Sequence, residues 1–139
     1  MCLKPDLIDM LREFMAAEKL VQFSYLFGSV ARQTAGPLSD VDIAVYVDAR
    51  VNIFKRRLTL MEALAKKIGS ERFDLVVLNV APVVLKYEVI KNGIVLKEDR
   101  PRRVVFESRV LREYLDSAHM RAIQYQYLKE SLLRRRFIR

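Results

Sequence analysis

Apolar positions along the chain change period several times, and each change marks an element. Leu7, Leu11 and Phe14 recur at helical spacing, behind Pro5-Asp6, which suit the first turn of a helix. A helix is predicted from Pro5 to near Lys19. Val21 to Phe27 is rich in β-branched and aromatic residues, a candidate strand that Gly28-Ser29 stops. Val30 to Gln33 reads as a turn of helix ended by Gly36-Pro37. The stretch VDIAVYV, residues 41–47, is almost continuously apolar, as in a strand covered on both faces. Ile53, Leu60, Leu64 and Ile68 then line one face of a helix over 53–68, with Gly69 as its C-cap. A third strand is predicted from Phe73 to Leu78, and Asp74 falls near its start. Pro82 opens a short helix through VVLKYEVIK. Asn92-Gly93 ends it, IVLKE makes a fourth strand, and Pro101 precedes a long final helix over about 104–135.

Helices alternating with short strands predict an α/β or α+β layer, a small mixed sheet flanked by helices. The 139 residues suit one domain, 1–139, with one modest core. Composition narrows the partners. Twenty-five Lys and Arg against 17 Asp and Glu give a formal charge of +8, which favours an acidic partner such as a nucleotide, nucleic acid or acidic protein face. Cys2 is the single cysteine, so no internal disulfide framework is expected and a reducing, cytoplasmic setting is the default. The opening MCLKPDLIDM carries acids early and reads as no signal peptide. No segment approaches the roughly 20 apolar residues of a membrane helix, so no membrane partner is expected. No zinc or helix-turn-helix pattern appears, and sequence-specific nucleic-acid binding is not expected.

The chemistry concentrates in residues 26–45, LFGSVARQTAGPLSDVDIAV. Two acids, Asp40 and Asp42, alternate with Val41 at the start of an apolar strand. Strand side chains alternate faces, so the two carboxylates point the same way and repel. A divalent cation relieves that repulsion, and Mg²⁺ often binds through one or two carboxylates plus substrate phosphates. Asp74 opens another apolar strand and is a candidate third acid, completing a metal shell or accepting a proton from an attacking hydroxyl. Gly28 lets the backbone turn sharply and approach a ligand closely. Amides after it, the Ser29 hydroxyl and the Arg32 guanidinium suit phosphate oxygens. Ser39 is placed to fix the loop leading into the acids.

A strand, Gly-Ser, ten residues, Asp-x-Asp and a further apolar strand resemble the signature of the DNA polymerase β-like nucleotidyltransferase superfamily. The short length, the DLVVLN strand and the NGIVLKED–long helix ending resemble, more narrowly, the MntA-type antitoxins encoded beside HEPN-domain toxins. The resemblance implies the small nucleotidyltransferase palm fold. It implies catalytic and metal-binding roles for Asp40, Asp42 and Asp74, with two Mg²⁺ ions. Gly28 and Ser29 would hold the triphosphate of ATP, with Arg32 and Ser39 beside them. The partner would be a HEPN ribonuclease toxin, and the reaction transfer of AMP to a toxin tyrosine with release of pyrophosphate. A small-molecule nucleotidyltransferase and a non-catalytic antitoxin acting by occlusion are the alternatives.

Other conspicuous residues carry less. His119, the one histidine, has no ligand partners near it in sequence and reads as ordinary helix surface or core. Tyr114, Tyr125 and Tyr127 read as packing or an interface rim. Lys55-Arg56-Arg57 and the tail RRRFIR are basic runs that could draw ATP electrostatically.

Overall fold

The computed structural model describes residues 5–28, 41–69 and 72–137. Among the described residues, ten elements follow in chain order: four strands, five helices and one 3-10 turn. Helix α1 is Pro5–Ala17, strand β1 Val21–Phe27, strand β2 Val41–Val47 and helix α2 Ile53–Ile68. Strand β3 is Phe73–Val77, followed by a 3-10 turn at Leu78–Val80. Helix α3 is Val83–Asn92, strand β4 Ile94–Lys97, helix α4 Arg100–Asp116 and helix α5 Ala118–Phe137. The fold is mixed α/β, as the pattern predicted.

One sheet has the order β3-β2-β1-β4. β1 runs antiparallel to both β2 and β4, while β2 and β3 are parallel. The central strands carry the unbroken apolar runs because both of their faces are covered. On one face, Leu11 and Met15 of α1 and Leu60 and Leu64 of α2 pack on Leu26, Ile43, Val45 and Leu75. On the other, Val89 of α3 and Phe106 and Val110 of α4 pack on Phe23, Tyr25 and Ala44. Phe23 stacks on Tyr46 at 4.8 Å between centroids, and Phe106 closes on both rings at 5.4 and 5.2 Å. Burying aromatics of this size contributes a large share of the hydrophobic stabilisation.

Local chemistry sets the ends. Asn52 caps α2 by accepting a hydrogen bond from the Lys55 amide, and Gly69 ends it at φ 75. Asp99 caps α4 in the same way, and Pro101 lies in that helix's first turn rather than before it. The sequence pattern placed helix over 104–135 as one element. The chain instead breaks at Ser117, where α4 gives way to α5. Side chains meet at the break: the Tyr114 ring lies 3.8 Å from that of Tyr87 of α3, tilted by 49°, and the Arg121 guanidinium lies over the Tyr114 ring at 3.9 Å. Arg121 also donates to the Tyr114 carbonyl at 2.9 Å and to the Ser117 hydroxyl. Aromatic and cation contacts thus tie the break to α3, which apolar periodicity does not encode. α1 ends two residues early, at Ala17, and β3 ends at Val77 because Leu78 enters the 3-10 turn.

Candidate active site

Strand register brings two of the predicted acids, Asp42 and Asp74, to one end of the sheet. In the parallel ladder Asp42 is the direct partner of Asp74, and in the antiparallel ladder Phe27 is the partner of Asp42. Directly paired residues on neighbouring strands point to the same face, with backbones roughly 4.8 Å apart. The two carboxylates therefore share a face at the starts of β2 and β3. The end of β1 reaches the same place. Asp42 is half-buried and Asp74 is 62% exposed at its side chain.

Gly28 follows β1 directly at φ 80, the left-handed region that favours glycine. A Cβ built on it would collide with Oδ2 of Asp42 and lie 3.0 Å from Cγ and 3.2 Å from Cβ of the same residue. The backbone thus passes against the Asp42 carboxylate, and only glycine satisfies both the turn and the approach. The sequence reading expected Gly28 to let the backbone approach a ligand closely. What it approaches in the described residues is a carboxylate.

Arg57 joins the site from α2. Its Nε donates to the Leu75 carbonyl at 3.1 Å, and its Nη2 lies 3.9 Å from Oδ1 of Asp74. The sequence reading missed this residue as a site component and took it with Lys55 and Arg56 as a charge run. A signal was present. Arg57 falls in the inward stripe 53-57-60-64-68, the one basic position among apolar ones. A charged residue in such a stripe faces the sheet rather than water.

Ser29, Arg32, Ser39 and Asp40 lie outside the described residues. Among the described residues no group of three His, Cys, Asp or Glu could hold a metal ion. Asp42 and Asp74 nonetheless offer a hard, all-oxygen pair of like charges in register. That donor set suits Mg²⁺, which takes one or two carboxylates and completes its shell with water and phosphate oxygens. His119 is exposed on α5, as are Tyr125 and Tyr127, and none of them joins these acids. No helix among the described residues is long and apolar enough to cross a membrane.

The opposite end of β2 is closed by different means. Asn79 accepts from the Val47 amide and donates to the Val47 carbonyl, both at 2.9 Å. One side-chain amide thus completes the ladder where β3 has ended. Just beyond, Arg50 chelates Asp48 through contacts of 2.7 to 3.3 Å, and these bonds hold the Asp48 carboxyl down to about 2.

A Gly-ended strand and two carboxylates in register suit phosphoryl- or nucleotidyl-transfer chemistry. The family model for "Polymerase beta, Nucleotidyltransferase" matches residues 9–102, and the chain belongs to that family. Among curated proteins no sequence matches it. Solved structures are similar over most of the chain. One is a toxin–antitoxin crystal structure with AMP-PNP, at 29% identity and TM-score 0.69, covering 88% of this chain and 95% of that one. Another is the MntA–HepT toxin–antitoxin structure, at 27% identity and TM-score 0.63, covering 88% and 94%. A third is a tri-AMPylated Shewanella oneidensis HEPN toxin in complex with MNT antitoxin, at 27% identity and TM-score 0.63, covering 88% and 93%.

Proposed function

We propose that this chain is an antitoxin that transfers AMP from ATP to a tyrosine hydroxyl of a cognate HEPN ribonuclease toxin. The observation that carries the chemistry is the pairing of Asp42 with Asp74 against Gly28. The likeness to complexes described with AMP-PNP and with an AMPylated HEPN toxin supports the nucleotide and the acceptor.

In the proposed reaction the tyrosine oxygen forms a bond to the α-phosphorus of ATP. The bond from that phosphorus to the bridging oxygen breaks, and pyrophosphate leaves with its electron pair. Asp40, Asp42 and Asp74 would hold Mg²⁺, which supplies positive charge to the triphosphate and to the developing negative oxygens. Asp74, the more exposed of the two described acids, takes the phenolic proton. Free tyrosine ionises near pH ~10, so at neutral pH its attack needs that acceptor. Gly28, with no Cβ, lets the backbone turn against the Asp42 carboxylate, and Ser29 and Arg32 bind the terminal phosphates. Most of the rate acceleration then comes from positioning and fixed charge.

The test incubates the chain with its cognate toxin, labelled ATP and Mg²⁺, followed by mass spectrometry of the toxin. The expected result is AMP on a tyrosine, with transfer falling about 10³-fold in Asp42→Ala. Full neutralisation of the toxin by Asp42→Ala without label transfer would replace this reading with occlusion.

A further inference from the structure

We infer that the open edge of β3 is the surface on which the toxin docks, presenting its acceptor tyrosine to Asp74. The inference rests on the acceptor reading above and adds where that acceptor arrives. β3 is an edge strand, and its outer side carries a groove of about 460 Å³ lined by Ile53, Phe54, Arg57, Leu75, Val80 and Pro82, among others. Phe54 is 70% and Val80 68% exposed, large apolar side chains that a free surface does not favour in contiguous groups. Val84, at the start of α3, extends the exposed apolar surface.

The groove is continuous with the carboxylates. Leu75 follows Asp74 in the same strand, and Arg57 both lines the groove and approaches Asp74. A group seated in the groove beside Arg57 is therefore near the acid assigned to take its proton, since Arg57 Nη2 lies 3.9 Å from Oδ1 of Asp74. The lining also states what the occupant looks like. Arg57 occupies the Leu75 carbonyl, so an incoming β-strand finds that ladder position already taken. The occupant must then bind through side chains. Among the lining residues the one charge is Arg57, and the rest of the wall is apolar. Such a wall offers little to a polar small molecule. It suits an apolar protein surface flanking a tyrosine, whose ring buries while its hydroxyl stays beside the polar end. The Arg57 guanidinium can stack on that ring.

The experiment measures toxin binding without ATP, so that docking is read apart from transfer. Phe54→Asp and Val80→Asp alter exposed side chains, and both are expected to weaken toxin binding tenfold or more while leaving the dissociation constant for ATP unchanged. Ile123→Asp, an equally apolar change on the exposed face of α5, is the control and should leave toxin binding unchanged. A photo-crosslinking residue at Phe54 should capture a toxin peptide containing or adjoining the modified tyrosine. Undiminished toxin affinity in both edge variants, or crosslinks only to a second copy of this chain, would overturn the docking edge. Wild-type chain that binds toxin with edge-dependent affinity yet transfers no AMP would instead remove the adenylylation reading and leave the edge in place. A wild-type chain that does not bind the toxin would remove the partner itself.

Discussion

The two ends of β2 meet polar chemistry in opposite ways. At the Val47 end, every polar group is answered locally. Asn79 satisfies both backbone atoms of Val47, and Arg50 wraps the Asp48 carboxylate. At the Asp42 end, strand register sets two carboxylates side by side, and Arg57 lies 3.9 Å from Asp74. The first arrangement matches groups of complementary character. The second sets groups of like charge in register, which suits a cation. The lesson is that one strand can end in complementary groups or in aligned like ones, and that the second kind of end is the one to examine for a bound ion.

That contrast can be broken at either end. Gly28→Ala places a Cβ against the Asp42 carboxylate at a positive φ. It should lower AMP transfer about 100-fold by displacing the carboxylate, and stability by about 1–2 kcal/mol from the left-handed backbone. Steady-state transfer assays and thermal melts read the two effects separately. Asn79→Ala, at the other end, leaves the Val47 amide and carbonyl without their partners. A loss of about 2 kcal/mol in urea denaturation is expected, with ATP affinity unchanged. A large loss of ATP affinity there would show that the two ends are not separable. The smallest effect belongs to Asp48. Its folded carboxyl is held near 2, below the unfolded value, by its bonds to Arg50. Any stability from this pair is therefore present above about pH 4 and fades as pH falls from there towards 2. The Arg50 side chain is largely exposed, so the global melt should move little, and the carboxyl carbon shift in NMR is the sensitive readout. Arg50→Gln should move that midpoint up towards the usual aspartate value.

Much of this was legible in the sequence, because the relevant signals are local. The apolar run VDIAVYV located β2, the stripe Ile53-Leu60-Leu64-Ile68 located α2, and Gly69 marked its end. A sheet edge shared by Asp74 with Asp40 and Asp42 was anticipated, since the acids open apolar strands; the direct pairing of Asp42 with Asp74 and the parallel direction come from the register. Three features were not read. Arg57 was grouped by its basic neighbours instead of by its place in the apolar stripe. Asn79 carries no periodicity of its own, since its role depends on where β3 stops. The break at Ser117 lies beside the contact of Tyr114 with Tyr87, some 30 residues earlier in the chain, and no window along the helix contains that partner. Ser29, Arg32, Ser39 and Asp40 lie outside the described residues, and their roles remain proposals.

The interruption at Ser117 also divides a length. Helix over residues 100–137 spans about 57 Å when unbroken. Divided at Ser117, it becomes segments of roughly 26 and 30 Å, and Tyr87, Tyr114 and Arg121 meet at the junction. The Tyr114 ring thus joins the end of α4 to α3 on one hand and to the first turns of α5 on the other.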